Sequence, residues 1–145
     1  MKKSIAAAVL LMLASLAVAA PTAKARASSA APTFIVKQPT IVAFFSLKPG
    51  DLNDPDIRES YRDFQRYVAA AKQQLERHGV KVEQAVATSF SVQLGKAKMR
   101  FTPVRRQCGY YFLAPGRQPQ VAYGVISDGD IVRGAQRYFG DALRE

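Results

Sequence analysis

With 145 residues, 48% of them hydrophobic and 22% charged, the chain suffices for one domain around one core. Its formal charge of +10 overstates the basicity of the domain, because four of the cations lie in the first 27 residues. The modest excess that remains favours anionic surfaces or partners, though it also serves solubility alone. A single cysteine, Cys108, excludes an internal disulfide, and a single histidine, His78, excludes a His-rich metal site, so stability must come from the core.

The chain opens with Lys2 and Lys3, followed by an uncharged apolar run from Ser4 to Ala20 and then by small residues. Ala23-Lys24-Ala25 and Ala25-Arg26-Ala27 both match the small-x-small pattern of a bacterial-type export signal. The apolar run falls short of the roughly 20 residues of a spanning helix, which favours cleavage over anchoring. Cleavage after Ala27 is preferred, with Ala25 close behind; residues 1–27 are the signal peptide. Removal of Lys2, Lys3, Lys24 and Arg26 lowers the formal charge from +10 to +6. No cysteine follows the run for lipid attachment, and no twin arginine precedes it. The expected location is periplasmic or secreted, with no membrane span in the mature chain.

Residues 28–39, rich in small residues and proline, read as an exposed leader, and residues 40–145 as the domain. Thr40 to Ser46 (TIVAFFS) is a strand-length apolar run that suits a central strand buried on both faces. Pro49-Gly50 ends it. A helix follows over 55–78, with Asp54 as N-cap and Pro55 at its first position. Ile57, Tyr61, Phe64, Val68, Ala71 and Leu75 form its apolar stripe, and Gly79 stops it. Val80 to Thr88 restarts as a strand with Val80, Val82 and Val86 as inward candidates, giving a parallel β-α-β crossover. Residues 89–107 alternate with period two around Gly95-Lys96 and suit a short hairpin. Gly109 to Ala114 and Val121 to Ile126 form an antiparallel pair across a Pro- and Gly-rich turn. A last helix begins at Ser127 or Asp128 and closes at Gly140.

This order, β-α-β and then β-β-α on one mixed sheet, resembles the thioredoxin-like fold within the α/β (α+β) class. The resemblance covers roughly residues 38–141 and rests on element order. Thioredoxin-like redox proteins place two cysteines at the start of the helix after the first strand, where the helix end lowers a thiol pKa. Here that stretch reads Lys48-Pro49-Gly50-Asp51-Leu52-Asn53-Asp54, without a thiol. The family also places a cis-proline before the first strand of the hairpin half, where this chain has Arg106-Gln107-Cys108. Both hallmarks are missing, so dithiol–disulfide exchange is excluded for a monomer.

Each candidate site residue also has a plainer role. Arg105 and Arg106 precede Cys108 and could stabilise its thiolate; the preferred alternative makes Cys108 a small core residue at the start of a strand. Asp51, Asn53 and Asp54 fail as a calcium loop, with Asp56 where glycine is needed and Arg62 at the twelfth position, and read as a turn plus N-cap. Asp128 and Asp130 have the same reading. His78 suits a helix end. No GxSxG or GxxxxGK[ST] motif occurs. Arg105, Arg106 and Arg117 around Tyr110, Tyr111 and Phe112 could stack on nucleic acid, but strand alternation sends some of these aromatics into the core, and no nucleic-acid partner is expected.

The expected function is a non-catalytic exported binding domain for a periplasmic or envelope protein, without cofactor or metal. Its expected binding surface combines Lys48, Asp51, Asn53 and Asp54 with Arg105, Arg106 and Cys108, because thioredoxin-like topology brings these segments to one sheet end. A single-thiol protein using Cys108 and a structural or immunity-type partner are the alternatives.

Overall fold

The computed structural model describes residues 31–140, so the expected export signal (1–27), residues 28–30 of the expected leader and residues 141–145 lie outside the described residues. The described chain runs β1 (Thr33–Val36), β2 (Thr40–Phe45), α1 (Pro55–Leu75), β3 (Lys81–Val86), β4 (Phe90–Leu94), β5 (Ala97–Phe101), β6 (Cys108–Leu113), β7 (Gln120–Tyr123) and α2 (Asp128–Phe139). The architecture is mixed α and β, with two sheets rather than one.

The larger sheet has the order β3-β2-β6-β7, with β2 parallel to β3, antiparallel to β6, and β6 antiparallel to β7. All six residues of β2 are buried, because each of its faces meets a different layer. Ile41, Ala43 and Phe45 face the two helices, packing with Phe64, Val68, Ala71 and Leu75 of α1 and Ile131, Ala135, Tyr138 and Phe139 of α2. Val42 and Phe44 face the smaller sheet. A strand buried on both faces needs an unbroken apolar run, and TIVAFF supplies it.

The smaller sheet, β1-β4-β5, corrects the sequence reading most. Thr33–Val36 falls in the stretch expected as an exposed leader, yet it pairs in parallel with β4, and Val36 is buried. The period-two stretch after Thr88 forms the β4–β5 antiparallel hairpin, turning at Gly95 with a positive φ of 61°. Phe34, Phe90, Val92 and Phe101 close onto Phe44, Leu113 and Tyr111, with Phe101 and Tyr111 ring centres 4.4 Å apart. This packing gives the chain a second apolar cluster.

Helix α1 begins as its sequence requires. The Asp54 carboxylate accepts the Asp56 N–H at 3.0 Å, Pro55 occupies the first turn, and a 3-10 turn over Glu76–His78 leads to left-handed Gly79. Ser127, the better of the two expected caps, accepts the Asp130 N–H at the start of α2. Two strand expectations were too generous. Val86 pairs with Phe45 at the sheet edge and stays exposed, while Val82 and Ala85 are buried. The β7 strand stops at Tyr123 because Gly124, with φ 103°, turns the chain away, and Val125 and Ile126 pack against the helix-side core instead. Gly109 lets β7 close on β6, since a Cβ there would collide with the Ala122 carbonyl oxygen.

Candidate functional site

The antiparallel pairing of β2 with β6 brings the chain leaving β2 beside the chain entering β6. Phe45 pairs with Cys108, and the ladder continues beyond the strands: the Ser46 N–H donates to the Gln107 carbonyl at 2.8 Å, and the Arg106 N–H to the Ser46 carbonyl at 2.7 Å. Residues 48–54 and 104–107 are therefore neighbours across more than fifty positions of sequence.

Asp51 joins them. Its side chain is fully buried, with 0% exposure, in a 3-10 turn over Asp51–Asn53. One carboxylate oxygen accepts the Lys48 backbone N–H at 2.7 Å. The other accepts Arg105 Nη2 at 2.6 Å and Arg106 Nε at 3.3 Å. A buried carboxylate is tolerable only with such partners. The Arg105 hydrogen bond, then the Lys48 N–H and then Arg106, outweigh desolvation and hold the Asp51 carboxyl well below the usual carboxylate range. Arg106 also reaches Asp54 at 3.0 Å, so the α1 cap is tied to the same cluster.

Arg106 is the only described non-glycine residue with a positive φ, 66°. It is the third residue of a turn closed by the Gln107 N–H on the Val104 carbonyl at 2.9 Å. Glycine or asparagine ordinarily fills such a position, and two acidic partners hold an arginine there instead. Beside the cluster, its chain neighbours Leu52 and Val104 are 38% and 70% exposed.

No family model, curated protein or solved structure matches this chain.

Of the seven residues expected to form the binding surface, Asp51, Asp54, Arg105 and Arg106 form one ion-paired network. Lys48 joins through its backbone N–H, Asn53 is exposed, and Cys108 begins β6 beneath the loops. The possibility that Arg105 and Arg106 serve the Cys108 thiolate meets a competing arrangement, because both guanidinium groups turn to Asp51 and Asp54. Cys108 is buried in the helix-side core, and burial pushes its thiol pKa up. Thr102 to Gln107 contains no cis peptide bond.

The other weighed residues take plain positions. Asp128 accepts a hydrogen bond from Gln74, and Asp130 pairs with Ser127 and Arg133. Arg117 donates to the Tyr138 carbonyl, while the Tyr138 hydroxyl donates to the Gln118 carbonyl at 2.6 Å, so the β6–β7 turn is clasped to α2. Tyr110 and Phe112 face the helices and Tyr111 the smaller sheet. His78 borders a groove of about 230 Å³ with Gln74, Leu75, Val132 and Gln136. Among the described residues, no three His, Cys, Asp or Glu side chains gather as a metal site requires, and no helix is long and apolar enough to cross a membrane.

Sequence reasoning placed Tyr110 among the aromatics of its strand but missed the state of its hydroxyl. Its hydroxyl is buried without a hydrogen-bond partner, and burial, with Cys108 and Tyr67 adding to it, pushes its pKa far above the ordinary phenol value. No sequence signal marks such a group, since tyrosine on an apolar strand ordinarily finds a partner.

Proposed function

We propose that this chain is an exported, non-catalytic binding domain of thioredoxin-like shape that docks a periplasmic or envelope protein through the loops at the end of β2 and β6. The observation that carries the reading is the buried Asp51 holding Arg105 and Arg106. It fixes two arginines and the exposed Val104 and Leu52 in place before any partner arrives, which lowers the ordering cost of association. Arginine beside exposed apolar side chains is a composition enriched in protein interfaces. The strand order β3-β2-β6-β7, with one helix after β2 and another after β7, supports the thioredoxin-like assignment. The thiol-free loop 48–54 and the buried Cys108 favour binding over redox chemistry.

A photo-reactive side chain placed at Val104 in cells tests the site. A discrete cross-linked adduct is expected there, and none from the same group at Arg77, in the 3-10 turn that follows α1. Equal labelling at both positions, or none at Val104, removes the docking assignment. Export is tested separately by intact mass of the periplasmic fraction, where a chain starting at Ser28 or Arg26 is expected.

A further inference from the structure

The acidic residues of this chain are unevenly distributed. None occurs before Asp51, and none between Glu83 and Asp128. The smaller sheet is built wholly from these acid-free stretches, together with Lys37, Lys96, Lys98 and Arg100.

Register determines where those charges lie. Ile35, Gln93 and Lys98 form one row across β1, β4 and β5, and Thr33, Ser91 and Arg100 form the next. Both rows lie on the face opposite Phe34, Phe90, Val92 and Phe101, which pack inward. The outward face therefore carries Lys98 and Arg100, with Lys96 in the hairpin turn and Lys37 just past the strand beside it. All four are exposed, and none belongs to an ion pair among the described residues. Arg100 meets only the Ser89 hydroxyl, at 3.2 Å. Ile35 stands among them at 58% exposure. Elsewhere, Arg66, Lys72, Lys81, Arg105, Arg106 and Arg133 have a carboxylate partner, while cations of the helical half such as Arg58, Arg62 and Arg77 have none among the described residues. What sets this sheet apart is that its own strands carry no acid at all.

We infer that the outer face of the β1-β4-β5 sheet is a peripheral docking surface for an anionic phospholipid surface. Unopposed cations spread over one face of a sheet match a layer of phosphates. Nucleic acid is disfavoured because the aromatic rings of this sheet turn inward, leaving none for base stacking. An acidic protein would require apolar or aromatic anchors seated in pockets, and this face offers Ile35 alone. One exposed aliphatic chain amid lysines suits shallow insertion at the headgroup boundary. The surface lies on a different layer from the loops at the β2–β6 end, so the inference stands without the docking proposal above.

The test is co-sedimentation of residues 28–145 with phosphatidylcholine vesicles, with and without phosphatidylglycerol. Binding is expected only with phosphatidylglycerol, and it should fall steeply as salt shortens the screening length. Lys96→Gln, Lys98→Gln and Arg100→Gln together should weaken it about a hundredfold, at roughly fivefold for each cation near the surface. A control variant with Arg58→Gln, Arg62→Gln and Arg77→Gln loses the same charge from the other half of the molecule and should change binding far less. Far-UV circular dichroism and melting verify that both variants fold. Equal binding to neutral vesicles, no binding to anionic ones, or equal losses in the two variants would overturn the inference. So would a sheet variant that loses affinity for a single-stranded oligonucleotide but not for vesicles.

Discussion

Replacing Arg106 by glycine and by alanine separates two opposing contributions at one position. Both substitutions remove the same contacts, to Asp51 at 3.3 Å and Asp54 at 3.0 Å. The Arg106 side chain is 41% exposed, so those contacts contribute at the scale of a partly solvated pair, about 0.5–1 kcal/mol. Alanine keeps the cost of the left-handed backbone, about 1–2 kcal/mol for a residue with a Cβ. Glycine removes that cost but gains unfolded-chain entropy worth about 0.4–1 kcal/mol. Arg106→Gly should therefore fall within about 1 kcal/mol of the wild type, and Arg106→Ala below Arg106→Gly by about 0.8 kcal/mol at the middle of these ranges. Urea unfolding reads the difference as a shift of the midpoint at constant slope. If alanine equals or exceeds glycine in stability, the φ of 66° carries no strain and the reasoning about this turn fails.

Tyr110→Phe removes a buried hydroxyl that has no partner, so it should leave stability unchanged or raise it by up to about 1 kcal/mol; a lower melting temperature would reveal a hydrogen bond at that oxygen. Asp51 has a lowered folded-state pKa, so its contribution is present above the unfolded value of about 3.9 and is lost as pH falls below it. Asp51→Asn should accordingly lower the urea midpoint at pH 7 and flatten its decline below about pH 4, and parallel pH curves would count against the ion-paired cluster. Cys108→Ser should cost about 1–3 kcal/mol by placing a hydroxyl in an apolar site, as denaturant titration can measure.

What the sequence revealed and what it concealed follow from the range of the interactions. The β2 run and the caps of α1 and α2 were legible because the deciding contacts lie within a few residues: Asp54 to Asp56, Ser127 to Asp130, Gly79 after the last turn. Strand β1 was not, since it has four residues between prolines and its partner, Ser91 onward, is more than fifty positions away. The site divides in the same way. That the loop after β2 meets the residues before β6 followed from the order of elements. That Asp51 is buried did not, because an Asp-Leu-Asn-Asp stretch reads as an exposed turn until distant arginines cover it. The conformation of Arg106 was equally hidden, as no glycine or asparagine marks the turn.

The network around Asp51 also bears on the choice between a binding domain and a single-thiol protein. Activating Cys108 would require a cation free to approach its sulfur and water able to reach it. Arg105 and Arg106 are nearest in sequence, and both are engaged by carboxylates; Asp51 takes its shortest hydrogen bond from Arg105. Freeing either arginine for the thiol would leave a buried carboxylate short of partners, which is costly. Cys108 itself is 8% exposed, with its backbone carbonyl held by the Gly124 N–H at 2.8 Å. The acid that ties the loops together thus keeps both guanidinium groups on carboxylates rather than on the sulfur. A thiol reagent should label the native protein slowly and the urea-unfolded protein fast, and Asp51→Asn should hasten native labelling only as far as it loosens the loops. Fast native labelling that slows when Arg105 and Arg106 are both replaced by alanine would instead mean that the arginines serve the thiol.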